Sequence, residues 1–160
     1  MTICGTAGRP TAFKKTRIPI TTTMMGKGCY PEDDELSLGM LGMHGTKYAN
    51  MTIYESDLII AMGARFDDRV AGDVKRFAPL AKIVHIDIDS AEIGKRLPAA
   101  IPIVGDLKSV LTILEQKVEP VDRPRWLERV AAWKKQYPLA YVQDQVIKPQ
   151  YILEKVNEVT

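Results

Sequence analysis

The length, composition and charge of the chain are those of one ordinary globular domain. It has 160 residues, of which 46% are hydrophobic and 26% are charged, so we expect a folded core rather than disorder or a fibrous repeat. The 22 Lys and Arg residues and 20 Asp and Glu residues give a net charge of +2. The two signs are interspersed without a basic block, which argues against a nucleic-acid partner bound through bulk charge.

The apolar runs and the cysteines bear on the location of the protein. The longest runs, such as 58–62, are far shorter than the roughly 20 residues of a membrane helix. The first residues lack the apolar stretch of a secretory signal, and Cys4 and Cys29 lack the spacing of a metal or redox motif. We therefore predict no membrane partner, no metal site, reduced thiols and a cytoplasmic location.

The first part of the chain shows little regular patterning. Residues 1–17 have neither strand nor helix periodicity, which predicts an irregular segment. Residues 18–23 are rich in β-branched side chains and lead into a glycine loop, which is typical of a strand. Pro19 places that strand at an early or edge position. The Gly- and Met-rich stretch 31–45 predicts a long irregular segment.

Three apolar runs further along predict buried strands of a parallel sheet. They lie at 57–63, 82–88 and 101–106, and each is continuous, as in strands covered on both faces. Such a sheet requires helices on both faces. One short helix is predicted over 47–55. Together these elements predict an α/β domain over 18–118.

Helical periodicity is clearest after the third run. Asp106 suits the N-cap of a helix with an apolar face formed by Leu107, Val110, Leu111, Leu114 and Val118. Two prolines in 119–124 predict a linker. A second helix begins at Pro124, carries Trp126, Val130 and Trp133 on one side and ends near Pro138. A last amphipathic helix is predicted over 149–159, so 119–160 forms a helical C-terminal extension.

The loops after the three predicted strands contain residue types that suit a nucleotide. Open parallel sheets bind ligands beyond the carboxyl ends of their strands. Those ends hold Gly63, Arg65, Asp87 and Asp106. Glycine permits close backbone approach, arginine binds phosphate or stacks on adenine, and a carboxylate binds ribose hydroxyls. A nucleotide crevice is therefore one interpretation.

Each of these residues also has a purely structural interpretation. Gly63 can simply end a strand, and Asp87 or Asp106 can cap a helix. A G-x-G-x-x-G fingerprint and a Walker motif are both missing. For His44, in a loop, functional and structural roles stay open, whereas His85 lies within a predicted strand and is expected to be a hydrogen-bonded core histidine.

Methionines are concentrated near the predicted glycine loops. Met24 and Met25 follow the first predicted strand, and Met40 and Met43 lie in the irregular stretch. Methionine fills gaps in cores, and a methionine-rich loop also lines flat aromatic ligands. Both interpretations stay open.

Three longer motifs indicate a protein family, which the spacing of single residues does not. They are LSLGMLGMHGT at 36–46, GARFDDRV at 63–70 and HIDIDSAEIGK at 85–95. With the continuous stretch from 18 to 107, more than half of the chain, they closely resemble the central domain of acetolactate synthase, also called acetohydroxyacid synthase. The resemblance implies a Rossmann-like parallel sheet flanked by helices, the central FAD-binding domain of a thiamine-diphosphate enzyme.

The resemblance also implies a reaction and its cofactors. The parent enzyme decarboxylates pyruvate and joins the two-carbon unit to a second 2-keto acid, which opens branched-chain amino-acid biosynthesis. It would use thiamine diphosphate and Mg²⁺ and form a homo-oligomer. Its central domain would hold FAD, which does no net redox chemistry there.

Carried over position by position, the resemblance implies two groups of site residues. Met43, Asp68 and Arg69 match the substrate channel, and Arg69 would bind the carboxylate of the second keto acid through its guanidinium fork. The alternative pairs Arg69 with Asp67 or Asp68, where it would only stiffen the loop. No catalytic residue is carried over. The implied FAD contacts are His44, Gly45, Thr46, Gly63, Ala64, Arg65, Asp87, Ile88, Gly105 and Asp106.

The resemblance has gaps as well. In the family, a strand, a Gly-rich turn and a helix precede the segment that here starts at Ile18. In this chain residues 1–17, which stand in their place, are predicted to be irregular, and 4–8 are a candidate remnant of the turn. The thiamine-activating and diphosphate-binding domains are expected to be absent, so we expect a fragment that is inactive alone. The alternatives are a stand-alone nucleotide-binding module without catalysis and a segment that docks into intact synthase subunits.

Overall fold

A computed structural model describes residues 1–5 and 11–160 and shows one parallel sheet of six strands. Every strand pair is parallel, and the strand order is β3-β2-β1-β4-β5-β6. The predicted Rossmann-like parallel sheet is thus confirmed. The strands are β1 Thr2–Cys4, β2 Ile20–Thr22, β3 Ser37–Met40, β4 Leu58–Met62, β5 Lys82–Asp87 and β6 Ile101–Val104.

Helices cover both faces of the sheet, as predicted. None of the helices in the described part of the chain is both long and apolar enough to cross a membrane. A 3-10 turn at Met24–Gly26 follows β2. The helices are α1 Thr11–Thr16, α2 Lys47–Glu55, α3 Asp68–Ala71, α4 Leu107–Lys117, α5 Pro124–Gln136 and α6 Pro149–Val159.

The prediction that 1–17 is irregular is wrong. β1 lies in the middle of the sheet, where Ile3 pairs with Thr21 of β2 and Ala61 of β4 and is fully buried. Three residues are too few to show a period of two, so the strand was invisible to periodicity. α1 also falls within the segment. The suggested remnant turn at 4–8 runs into residues 6–10, which lie outside the described residues.

Two strand predictions need correction in detail. The stretch 31–45, predicted to be irregular, contains β3. β2 is an interior strand of the sheet, and Pro19 lies just before it, so the predicted early position of the proline was correct and the predicted edge position of the strand was wrong. β6 is an edge strand rather than a buried one, with Ile101 and Val104 largely exposed. Pro102 fits there because an edge strand does not need every N–H for the ladder.

Side chains alternate between two cores on opposite faces of the sheet. On β4, Ile59 and Ala61 face the first core, whereas Met62 faces the second. α2 and α5 cover the first core, and α5 contributes Val130 and Trp133 as predicted. α4 covers the second core through four residues of its predicted apolar face, whereas the fifth, Val118, follows the helix as its C-cap; the four are Leu107, Val110, Leu111 and Leu114. The domain boundary at 118 and the separate role of 119–160 stay predictions.

His85 lies on β5, on the face of the sheet that the first core covers, and is 1% exposed. Its ring meets Phe66 edge-on, with 5.2 Å between centroids. The core position is confirmed, but the hydrogen bonding is weaker than predicted. Nδ1 accepts a long bond of 3.4 Å from the Gly94 amide, and Nε2 makes no bond of ordinary geometry within the described part of the chain. Burial lowers the pKa of His85, against the raising effect of Asp87 and the Ala64 backbone.

We expect His85 to make stability depend on pH. Its folded-state pKa lies below the ordinary value near 6.5, so the unfolded chain takes up the proton first and the free energy of unfolding decreases as the pH falls below about 6.5. Urea denaturation between pH 8 and 5 should show a shallower decrease for His85→Gln than for wild type.

His44→Gln is the matched control, because His44 is exposed and is the other histidine of the chain. It should keep the wild-type dependence. Burial also lowers the pKa of the Met1 amino group to about 5, which gives all three proteins a decrease of the same sign. The difference between proteins therefore isolates the histidine, and equal slopes for His85→Gln and wild type would contradict the prediction.

One buried and one exposed side chain of the helical extension allow a stability test. Trp133 is 6% exposed and stacks edge-on against Trp126 at 6.0 Å, whereas Leu153 on α6 is 70% exposed. Trp133→Ala should lower the free energy of unfolding by about 3–5 kcal/mol, and Leu153→Ala by no more than about 0.5 kcal/mol. Chemical denaturation measures both. Similar losses would show that α5 is not part of the first core.

Candidate functional site

The strand order places a topological switch point between β1 and β4. From β1 the chain proceeds outward to β2 and β3 on one side, and from β4 it proceeds to β5 and β6 on the other. The loops after β1 and β4 therefore diverge, and a crevice opens beyond their carboxyl ends. Sequence reasoning could not locate this point, because it depends on the unpredicted β1.

Glycine is required where the backbones meet at this switch point. The Gly5 amide donates to the Met62 carbonyl at 2.8 Å, and a Cβ on Gly5 would lie 2.1 Å from the Gly63 carbonyl oxygen. A Cβ on Gly26 would lie 2.0 Å from the Cys4 carbonyl oxygen. A side chain at either position would displace backbone. The main chains that follow β1, β2 and β4 are therefore packed directly against one another at the base of the crevice.

The first of two cavities along the crevice has a volume of about 250 Å³. Met24 and Met25 line it and are 66% and 81% exposed, so these methionines face the cavity rather than the core. Sequence reasoning missed Gly5, Thr23 and Leu41 in the lining, since only the sheet order brings them here. Of the predicted residues, the cavity gathers His44, Gly63, Ala64, Arg65 and Arg69.

The second cavity has a volume of about 510 Å³ and lies beyond β5 and β6. It gathers the predicted Asp87, Ile88 and Asp106, and Ile88 is 73% exposed there. Gly63 and Arg65 line both cavities. The two cavities therefore meet at the carboxyl end of β4.

Three predicted residues lie outside the walls of both cavities and have structural roles. Thr46 donates its hydroxyl to the Leu38 carbonyl at 2.9 Å and accepts from the Ala49 amide, which caps α2. Gly45 packs so tightly that a Cβ would lie 2.4 Å from the Met40 carbonyl oxygen. Gly105 donates its amide to the Asp87 carbonyl at 2.9 Å. Their predicted flavin contacts stay predictions.

The predicted carboxylates have structural roles too. Asp106 caps α4 and accepts from both the amide and the hydroxyl of Ser109. These bonds hold the pKa of Asp106 below its usual range, so the side chain is a carboxylate at neutral pH. Asp87 accepts from the Asp89 amide at 3.0 Å. The helix-cap interpretation is thus confirmed for Asp106, and both side chains still line the second cavity.

Charge differs along the crevice. Arg65 is exposed, and its guanidinium has no hydrogen bond or ion pair with any residue that the structure describes. The second cavity carries four carboxylates, with Lys108 as its other cation, whereas the first is lined by the carboxylate of Asp67. Phosphate is therefore favoured beside Arg65, and hydroxyl groups are favoured in the second cavity. The four carboxylates belong to Asp87, Asp89, Glu92 and Asp106.

The residues implied for the substrate channel lie together. Met43, Asp68 and Arg69 line a third cavity of about 350 Å³, and Arg69 also lines the first cavity. The Met43 amide donates to the Arg69 carbonyl at 2.8 Å, and a Cβ on Gly42 would lie 2.2 Å from that oxygen. Gly42 was missed as a site residue because this contact joins two loops far apart in sequence.

The alternative role of Arg69 as a loop stiffener finds no support. Asp67 accepts instead from the Val70 amide at 3.0 Å and caps α3. Neither Asp67 nor Asp68 forms an ion pair with Arg69 within the described residues. The Arg69 guanidinium is thus available to a ligand.

Comparison with known proteins shows the family of this chain. The sequence profile described as "Thiamine pyrophosphate enzyme, central domain" matches residues 11–114. The probable acetolactate synthase large subunit of Methanocaldococcus jannaschii is 54% identical over 147 residues, which are 89% of this chain and 25% of the relative. The acetolactate synthase large subunit of Parasynechococcus marenigrum is 48% identical over 150 residues, 91% of this chain and 24% of the relative.

A plant relative gives the same result. The chloroplastic acetolactate synthase of Arabidopsis thaliana is 47% identical over 152 residues, 91% of this chain and 23% of the relative. The chain therefore spans about a quarter of the length of these relatives. The profile match covers more than half of the chain and most of the sheet. The chain belongs to the thiamine pyrophosphate enzyme family, as a central domain.

Proposed function

We propose that this chain is the FAD-binding central module of an acetolactate synthase. The observation that carries the proposal is the crevice at the switch point, where two cavities meet and share Gly63 and Arg65. The similarity to acetolactate synthase large subunits supports the choice of enzyme. As a module the chain would bind a nucleotide.

The residues of the crevice fit a flavin dinucleotide. The close approach of Gly5 to Gly63 leaves no room for a side chain at position 5, and both residues line the first cavity. Arg65 would pair with the pyrophosphate, and the carboxylates of Asp87 and Asp106 would accept from hydroxyl groups. The exposed methionines of the first cavity suit a flat aromatic ring. Bound FAD would supply that ring system without net redox chemistry.

The whole enzyme's reaction is part of the same proposal. It joins a two-carbon unit from pyruvate to a second 2-keto acid with thiamine diphosphate and Mg²⁺, and we assign neither of these to a residue of this chain. Arg69 would bind the carboxylate of the incoming keto acid, beside Met43 and Asp68. A homo-oligomer and a cytoplasmic location stay predictions.

FAD binding tests the proposal directly. Flavin fluorescence titration of the isolated chain should show saturable binding, and Arg65→Ala should raise Kd about tenfold or more, because a hydrogen bond to a charged group contributes about 1.5–3 kcal/mol. Arg125→Ala is the matched control. Arg125 is exposed on α5 and lines neither cavity of the crevice, so its removal should leave Kd unchanged.

Two outcomes would contradict the proposal. The first is no saturable flavin binding by the folded chain. The second is equal weakening by Arg65→Ala and Arg125→Ala, which would place the flavin away from the crevice. Tighter binding of ADP than of FAD would favour the stand-alone nucleotide-binding alternative, because the ring would then contribute nothing.

The role of Arg69 needs the complete enzyme. We would exchange this segment into an acetolactate synthase large subunit and compare Arg69→Ala and Arg69→Lys with Arg125→Ala. Loss of a carboxylate contact should lower kcat/KM for the second keto acid about tenfold or more while flavin content and Tm stay unchanged. Flavin content, Tm and carboligation are measured side by side. Parallel loss of flavin, stability and activity would assign Arg69 a structural role.

A further inference from the structure

We propose that Cys4 and Cys29 form a reversible disulfide that links the carboxyl end of β1 to the loop after β2. Sequence spacing alone indicated no redox motif, because 24 residues separate the two cysteines. The fold brings them into the same core on one face of the sheet. They are the two cysteines of the chain, and neither forms a disulfide in this structure.

The two cysteines are neighbours in the fold. Cys4 belongs to the second core, Cys29 packs against that same core, and the Cys4 side chain has the largest influence on the pKa of the Cys29 thiol. Cys4 is the last residue of β1 and fully buried, whereas Cys29 is partly exposed at the rim of the second core. A disulfide requires two side chains that face each other at short range, and packing in one core favours such a pair.

The backbone around the pair is held in place from both sides. The Thr23 amide donates to the Cys4 carbonyl at 3.0 Å, and the Cys29 amide donates to the Gly26 carbonyl at 3.1 Å. Gly26 in turn packs against the Cys4 carbonyl without room for a Cβ. The strand end and the loop are therefore fixed relative to each other before any bond forms.

The difference in exposure sets the order of events. An oxidant reaches the partly exposed Cys29 before it reaches the buried Cys4. The hydrogen bond from Cys4 holds the pKa of the Cys29 thiol below its ordinary value, against the raising effects of burial and Glu32. A lower pKa increases the fraction of thiolate, which is the nucleophile in thiol oxidation.

The chemistry is complete with a hydroperoxide as the oxidant. The Cys29 thiolate attacks one peroxide oxygen and breaks the O–O bond, which gives a sulfenic acid and, after protonation, one water from hydrogen peroxide. Cys4 sulfur then attacks the Cys29 sulfur, the S–S bond forms, and hydroxide leaves with the Cys4 proton as a second water. Two thiols are oxidised as one peroxide is reduced.

The bond would act on the neighbouring crevice. Thr23, Met24 and Met25, which line the first cavity, belong to the loop that the disulfide would join to β1. Oxidation would fix this loop, so the reduced and oxidised chains should differ in ligand affinity. That last consequence rests on the proposed flavin function, whereas the disulfide itself does not.

Thiol counting on the full 160-residue chain tests the proposal. After treatment with hydrogen peroxide and denaturation, free thiols should fall from two to zero per chain, and dithiothreitol should restore both. The protein should stay monomeric on a non-reducing gel, and peptide mapping should find the Cys4 peptide joined to the Cys29 peptide. Because the peptide mapping uses the wild-type protein, its result does not depend on whether a variant folds.

A single-cysteine variant separates the proposed pair from ordinary oxidation. In Cys29→Ala, the buried Cys4 should remain a free thiol under conditions that remove both thiols in wild type. The proposal is overturned if wild type keeps its thiols, if it forms dimers through disulfides between chains, or if Cys29 accumulates as sulfinic acid without a bond to Cys4. Flavin titration of the reduced chain is independent of these results, so failure of either proposal is recognised separately.

Discussion

The contact between two backbones at the centre of the sheet is the constraint on which the other features depend. At the end of β1 the main chain lies so close to the loop after β4 that position 5 has no room for a Cβ beside the Gly63 carbonyl oxygen. The same strand end has no room for a side chain at Gly26. Packing of this kind holds three loops at fixed positions around one point, and a rigid scaffold of this sort is what a ligand-binding loop requires.

The chemical character of the crevice follows from where each strand ends. Arg65 follows β4 and borders both cavities, while the carboxylates follow β5 and β6 and border the second cavity alone. Arg65 beside the group of carboxylates gives an elongated ligand a direction, because phosphates favour the arginine and hydroxyl groups favour the carboxylates. Met24 and Met25 add an exposed apolar surface at the first cavity.

The loops around Gly42 and Arg69, distant in sequence, are joined by main-chain contacts. The Arg69 carbonyl accepts from the Met43 amide and lies against Gly42, and Asp67 is occupied as the cap of α3. The Arg69 side chain is thereby positioned through its own backbone while its guanidinium stays unpaired among the described residues. The end of β1 also has more than one role. Its backbone pairs within the sheet and lies at the base of the crevice, and the Cys4 side chain lowers the pKa of Cys29.

Local chemistry determined much of this protein from its sequence by itself: apolar runs predicted β4 and β5, Asp106 predicted the start of α4, and three motifs indicated the family. Periodicity and capping are properties of neighbouring residues, so they are readable without a fold. Only the tertiary structure decided that β1 is a central strand, that β6 is an exposed edge, and that Gly42 meets Arg69. The physical reason is that strand neighbours and loop contacts are chosen by long-range pairing, on which a three-residue segment or a single glycine leaves no periodic trace.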